Sequence, residues 1–553
     1  MVKLNVNLIK DWKNYSFDTL IEFVKLYDNR AKSIKKIIKA YKLAEKQHNG
    51  VTRDDNKTPY IMHPVAVANF LAIMRVDVDS ICAGLLHDTI EDTNLTKEDI
   101  EKEFGIDVAN IVEGVTKITK LEYADYINVS MNKSEAEAKR NLKTLNQKKI
   151  IESLLYDPRI AIVKLADRLH NMLTIENKPL LKQKSKAKET LELYVPLANI
   201  FGIYKIQQEL ENASLKCIDK DLYERIKKSR EEIKEETLPL VKDAFNKMVN
   251  VIKDNIKEIG RFSEEEMLDK SEEELLEEVL YIGPNLSRTR IKHIYGVYDA
   301  LLKMKETSDE EKVYFHKLNF DSDTYDKIHD LRVAKLIVKD EDACFQVLRY
   351  LHKAYYGKYI NKYEKDYIYN PKQNMYKSLH STVIHDGCFV QFQIRTIEQE
   401  YRDTYGLAWE LYKYDGENTR ERILEEFKKY PAYQRLLDVT KDTNSLDLSD
   451  YRSLLNREIL NRDNITIIDK SNGKSVTVPL GTTIHDLAYV IYGDLGNHLV
   501  SAKINDEMYI WKDQQYPFGR KLEDGDIISL TFNENILCYR PGTKVLVKKE
   551  KMK

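Results

Sequence analysis

Residues 84–93 read GLLHDTIEDT, which sets His87, Asp88, Glu91 and Asp92 into an otherwise apolar segment. Charged groups this dense are costly to bury unless something pairs with them. Two further stretches carry matching residue types: YIMHP supplies His63, and KLADRLHNM supplies Asp167. Two imidazoles and two carboxylates, from His63, His87, Asp88 and Asp167, suit a borderline-hard divalent ion such as Mn²⁺. They would leave positions open for water and phosphate oxygens. Glu91 and Asp92 follow His87 and Asp88 by four residues each, so a helix would present them on nearly the same face. There they could move protons to or from an attacking water or a leaving phosphate.

Several helices must converge to position this set. From about residue 15 to 255, apolar residues recur at three- and four-residue steps, as in SIKKIIKAYKLAEKQH and VDVDSICAGLLHDTIEDT. The pattern predicts an all-α domain over 15–205, with charged helices over 206–255 as a connector. Pro64 fits the first turn of a helix that begins beside His63. Beyond 256, DLRVAKLIVKD, HSTVIHD and CFVQFQIRT read as strands between helices such as DACFQVLRYLHKAYY, predicting a mixed α/β domain over 256–440. A third unit over 463–535 opens with NITIIDKSNGKSVTVPLG, a hairpin about Asn472-Gly473, followed by a short helix TIHDLAYVIYG. Residues 536–553 form a basic tail.

A chain of 553 residues accommodates about three or four domains. Its 88 basic and 90 acidic side chains nearly cancel, so no global field draws it to nucleic acid or to a membrane. The cysteines (Cys82, Cys217, Cys344, Cys388 and Cys538) are far apart, which argues against a disulfide framework and for a reducing, cytoplasmic setting. No apolar run reaches the roughly 18 residues of a membrane span, and the start lacks a signal-peptide core.

In order along the chain, AEKQHNG with His48, then Arg53, YIMHP, HDTIEDT, KLADRLHNM and ETLELYVPLANIFGI resemble the HD-type hydrolase domain of RelA/SpoT homologues, enzymes of the alarmone (p)ppGpp. The resemblance runs with gaps from about residue 40 to 535. It implies that His63, His87, Asp88 and Asp167 hold Mn²⁺, that Glu91 and Asp92 assist water attack on the 3′-pyrophosphate, and that Arg53 and Asn171 contact the nucleotide. A guanidinium suits that role because it can stack on a base and fork onto phosphate. RDDNKTPY departs from the family's RKSGEPY and is one residue longer, so Lys57 is the candidate for the missing basic neighbour. His48 and His170 are expected to support the site rather than ligate.

RIKHIYGVY, IHDLRVAKLIV, KDYIYNPKQNMYKSLHSTV and VQFQIRT resemble the family's synthetase, which moves pyrophosphate from ATP to the 3′-oxygen of GDP or GTP with Mg²⁺. The resemblance implies that Tyr376 stacks on guanine, flanked by Asn374 and His380. Arg290 and Lys292 would hold the ATP phosphates, and Asp330 would ligate Mg²⁺. An aromatic–base stack contributes about 1–3 kcal/mol. Four charged positions depart from the family pattern. Gln391 stands where the family has a glutamate, and an amide cannot act as a base and binds Mg²⁺ less well. Lys335 replaces an arginine and cannot fork onto phosphate. Ala300 occupies a lysine position, with Lys303 nearly a turn away, and Tyr363 takes the arginine place of an R-x-K-D signature. Pyrophosphoryl transfer is therefore expected to be weak or lost, with nucleotide binding kept in a regulatory role.

The third unit resembles a TGS domain, a small β-grasp fold, in which Tyr492 replaces a histidine that touches uncharged tRNA in long members. The chain ends soon after, so ribosome or tRNA binding is not expected. The expected function is that of a Mn²⁺-dependent (p)ppGpp 3′-pyrophosphohydrolase, releasing GDP or GTP and pyrophosphate. The alternatives are a bifunctional synthetase/hydrolase and a non-catalytic nucleotide sensor.

Overall fold

The computed structural model describes residues 12–124, 149–281, 288–306, 325–441 and 464–533. Within them, residues 54, 154, 410, 415, 417–418, 471–473, 480–481, 505–506, 511–517, 519, 521 and 523–525 are left out. The chain divides into two compact units, Met1–Leu448 and Ser449–Lys553.

The first unit begins with α1 (Phe17–Lys25), α2 (Ala31–Gln47), α3 (Met62–Ile73), α4 (Val78–Leu86), α5 (Thr89–Asp92), α6 (Lys97–Phe104), α7 (Ile106–Ala124) and α8 (Pro158–Leu173). Local signals set their ends. Ser16 and Thr96 close capping boxes on α1 and α6, and Asp157 caps α8 ahead of Pro158 in its first turn. α3 is apolar nearly all round and buried along His63–Ile73, as a core helix must be. It packs against α4 and α8, so the metal-type residues arrive from three mutually packed elements.

VDVDSICAGLLHDTIEDT is not one helix. α4 stops at Leu86 and α5 starts at Thr89, which leaves His87 and Asp88 at the break. Both residues keep near-helical backbone angles, and the Asp92 N–H bonds the Asp88 carbonyl at 2.9 Å. The turn is therefore almost continuous, and Glu91 and Asp92 still follow one turn beyond. α9 (Leu180–Glu189), a π-helical turn (Thr190–Tyr194), α10 (Val195–Ile200) and α11 (Tyr204–Ile218) complete the helical part.

α12 (Lys220–Asp254) falls in the stretch expected to be a charged connector, and it is packed rather than free. Val241, Ala244, Phe245, Met248 and Ile252 form one buried core with the sheet beside it. That sheet contains β1 (Thr289–Ile291), β2 (Arg332–Val338), β3 (Lys365–Asp366), β4 (Leu379–His385) and β5 (Cys388–Thr396), in the order β1-β2-β5-β4-β3. β2 and β5 run parallel, and the other neighbours are antiparallel. Helices α13 (Ile294–Glu306), α14 (Glu341–Ala354) and α15 (Ile397–Tyr405) complete the layer. Alternation along the strands sorts the faces. Ala334, Leu336, Val338, Val390, Phe392 and Ile394 enter the core. Register places Arg290, Lys335, His380, Gln391, Gln393 and Arg395 together on the opposite face.

The second unit is a sheet of β6 (Asn464–Asp469), β7 (Lys474–Pro479), β8 (Leu499–Ile504), β9 (Glu507–Ile510) and β10 (Ile527–Phe532), ordered β7-β6-β10-β8-β9. β10 runs parallel to β6 at the centre, and α16 (Ile484–Tyr492) covers the sheet through Ile484, Leu487 and Ala488. β6 and β7 pair antiparallel as expected, while the Asn472-Gly473 turn and the tail over 536–553 lie outside the described residues. Among the described residues, no helix is long and apolar enough to cross a membrane.

Candidate metal and active site

His63 projects from α3, His87 and Asp88 from the α4–α5 break, and Asp167 from α8. Their donor atoms converge. His63 Nε2 lies 3.1 Å from His87 Nε2, 3.2 Å from Asp167 Oδ1 and 3.5 Å from Asp88 Oδ2. His87 Nε2 lies 3.2 Å from Asp88 Oδ1 and 3.7 Å from Asp167 Oδ1. His87 Nδ1 donates to the Gly84 carbonyl at 2.9 Å, so Nε2 is the ring nitrogen turned into the cluster. His63 is held at its far nitrogen by His170, with 2.8 Å between the Nδ1 atoms.

The electrostatics fit a cation at this point. Burial opposes charge on His87, yet Asp88 and Asp167 outweigh it and push the imidazole up to about 9. Burial likewise works against ionised Asp167, but Lys164 and the two imidazoles hold its carboxyl well below the usual range. The protein therefore stabilises positive charge where the lone pairs and carboxylates meet, and this donor set suits a divalent ion.

Glu91 and Asp92 line a cavity of about 300 Å³ together with His63, Asp88 and Asp167. Burial, then the neighbouring charges of Asp88 and Asp92, pushes the Glu91 carboxyl up to about 7. Burial and Asp88 also raise Asp92. Arg53 Nη2 bonds Asn171 Oδ1 at 3.2 Å and Thr174 Oγ1 at 3.3 Å, and Asn171 in turn donates to Asp167 at 2.6 Å. The structure thus brings the hydrolase-type residues named from sequence together: all but His87 line this cavity, and His87 meets the lining residues His63 and Asp88. Lys57 is exposed and is not in the wall; Lys164, Arg168, Lys178 and Lys186 supply the cations there.

Two supporting groups were missed in sequence. Tyr60 donates to Asp88 Oδ2 at 2.7 Å, and Lys164 bonds Asp167 Oδ2 at 3.0 Å. The i,i+3 step from Lys164 to Asp167 was the readable signal for the second. His48 stacks on Tyr60 at 4.7 Å, in a supporting place as expected.

On the second sheet face, a hydrogen-bonded chain links the synthetase-type residues. Gln393 donates to Gln391 at 2.9 Å, Arg395 to Gln393 at 2.6 Å and to the Tyr376 hydroxyl at 2.9 Å, and that hydroxyl meets His380 at 2.6 Å. Lys335 bonds buried Glu400 at 2.6 Å, and Arg395 pairs with both Glu400 and Asp403. Lys292 is paired with Asp330. Arg290 is on β1 beside them. Asn374 instead reaches the helical part, donating to the Asn199 carbonyl at 3.1 Å. Tyr363 stacks flat on His329, and Ala300 is an apolar contact of the core below. The Lys303 side chain lies outside the described residues. In the second unit, Tyr492 donates to Asp469 at 3.1 Å and packs on Phe532.

Three family models match the chain: an HD domain over residues 40–204, a region found in RelA/SpoT proteins over 289–417, and a TGS domain over 455–531. The helical unit is thus an HD domain, joined to a synthetase-like domain and a TGS domain. A guanosine-3′,5′-bis(diphosphate) 3′-pyrophosphohydrolase of Spiroplasma citri is 30% identical over 533 residues, covering 94% of this chain and 62% of the relative. The bifunctional (p)ppGpp synthase/hydrolase SpoT of Escherichia coli is 32% identical over 519 residues, covering 93% of this chain and 63% of that protein. A 3′-pyrophosphohydrolase of Aquifex aeolicus is 31% identical over 515 residues. This chain belongs to the RelA/SpoT homologue family. It spans less than two thirds of the length of these relatives.

Proposed function

We propose that the protein removes the 3′-pyrophosphate of ppGpp or pppGpp by hydrolysis, yielding GDP or GTP and pyrophosphate. The observation that carries this reading is the convergence of His63, His87, Asp88 and Asp167 beside a cavity that Glu91, Asp92 and several cations also line. Those four residues would hold the ion, with Mn²⁺ the proposed metal. Such an ion supplies Lewis-acid stabilisation of the charge that develops on the pyrophosphate. Tyr60 and Asn171 orient Asp88 and Asp167. Glu91 accepts the proton of the attacking water, and Asp92 beside it shares the proton traffic. Arg53 and Asn171 face the nucleotide, and Lys164, Arg168 and Lys186 counter its phosphates.

The synthetase-like domain is proposed to bind guanine nucleotide without efficient transfer from ATP, in a regulatory role. Lys335 is committed to Glu400, and Gln391 supplies an amide where a base is needed. A bifunctional reading draws on the SpoT relative and on Arg290, Tyr376 and His380 sharing the site; Mg²⁺ at Asp330 would then serve synthesis. Purified protein incubated with Mn²⁺ and ppGpp should release pyrophosphate, and Asp88→Ala should abolish release. No release from the wild type, with Asp88→Ala indistinguishable from it, would leave a non-catalytic nucleotide sensor.

A further inference from the structure

The turn between β4 and β5 carries a second constellation with metal-ligand chemistry, away from the HD cavity. His385 closes β4, Asp386 follows it in the turn, and Asp243 projects from α12 beneath the sheet. His385 Nε2 lies 3.0 Å from Asp243 Oδ2 and 4.0 Å from Asp386 Oδ2, and one donor atom of each residue falls within 4.8 Å of the others. His385 is only 7% exposed, and its other nitrogen is fixed at 2.9 Å from the hydroxyl of buried Tyr355. Pinning the far nitrogen orients an imidazole the way metal-binding histidines are commonly oriented.

We propose that His385, Asp386 and Asp243 bind a divalent transition ion of the Zn²⁺ or Co²⁺ class. A proton on Nε2 can bond only one of the two carboxylates at a time, whereas a divalent ion engages both and takes the imidazole lone pair. One nitrogen with two carboxylate oxygens favours Zn²⁺ or Co²⁺ over Mg²⁺, and open coordination positions face solvent. Because Asp243 belongs to α12 and the other two to the hairpin, the ion ties the sheet to the helix it packs on. It does so on the face opposite Gln391 and His380.

The test uses the full chain, stripped with chelator and titrated with Co²⁺ alone, with bound metal counted after desalting. Asp243 and Asp386 are 71% and 80% exposed at their side chains, so Asp243→Asn/Asp386→Asn leaves the core intact. This variant should bind one equivalent fewer than the wild type. Asp88→Asn should remove a different equivalent, and combining the substitutions should lose both. Equal stoichiometry in the wild type and in Asp243→Asn/Asp386→Asn overturns the site.

Discussion

In the proposed hydrolysis, Glu91 is the residue whose protonation state decides the chemistry of the HD cavity. Burial and the charges of Asp88 and Asp92 lift its carboxyl to about 7, far enough for it to accept a proton near neutrality. Acting as the base, it must be ionised, so hydrolysis should rise as pH climbs through this value and level off above it. A divalent ion beside Asp88 draws the value down, which places the rising limb at or below pH 7. Glu91→Gln should flatten that limb and cost about 10²–10⁴-fold in rate, the usual worth of a general base. A limb that survives in Glu91→Gln would pass the role to Asp92. Asp88 and Asp167 are tied by Tyr60, Asn171 and Lys164, so their positions should not depend on Glu91.

At the scale of elements, the helix break and the polar sheet face explain why some of this was legible and some was not. HDTIEDT declares its residue types, but nothing in the apolar spacing marks the end of α4 at Leu86, because His87 and Asp88 keep helical angles. The charged sequence of α12 reads as solvated until its stripe of Val241, Phe245, Met248 and Ile252 is matched to the core face of the strands. Gln391, Gln393 and Arg395 follow the two-residue period of β5, so their shared face was readable, whereas the Arg395 partners Glu400 and Asp403 on α15 were not. Buried Glu400 serves both Lys335 and Arg395. Burial alone would raise its carboxyl, but the two cations hold it below its ordinary value, whereas Lys335 is lowered by burial and by Arg395 beside it. Because Arg395 still pairs with Glu400, Lys335→Ala should cost about 1.5–3 kcal/mol in denaturant unfolding, the usual worth of a hydrogen bond to a charged group. The sign with pH follows from the depressed Glu400 value. Its contribution is present above the ordinary carboxylate range and is lost as pH falls through the lower folded value.

Across the whole first unit, the HD domain and the sheet domain meet where each closes. The Leu407 N–H bonds the Phe201 carbonyl at 2.9 Å, and Gly406, with φ of 58°, passes so close that a Cβ would collide with the Phe201 and Gly202 backbone. Asn374, two residues before Tyr376, reaches the same segment through the Asn199 carbonyl. Gly406→Ala should accordingly lower the melting temperature of the unit, read by calorimetry, since neither backbone can yield and the new residue is strained. The loop that would hold guanine is thus fixed partly by the HD domain through Asn374, and partly by Arg395, which bonds the Tyr376 hydroxyl. On the proposed reading, the limit on synthesis is one of charge. The Gln391 amide lies in a chain that runs through Gln393 to Arg395, Lys335 is paired with Glu400, and Arg395 is paired with Glu400 and Asp403. Gln391→Glu adds the missing carboxylate but leaves both cations committed. On this reasoning, the single substitution should give no measurable ppGpp from ATP, GDP and Mg²⁺, in an assay where the same preparation hydrolyses ppGpp with Mn²⁺. Clear synthesis by the wild type would establish the bifunctional reading, and clear synthesis by Gln391→Glu alone would show that the base, not the paired cations, had been limiting.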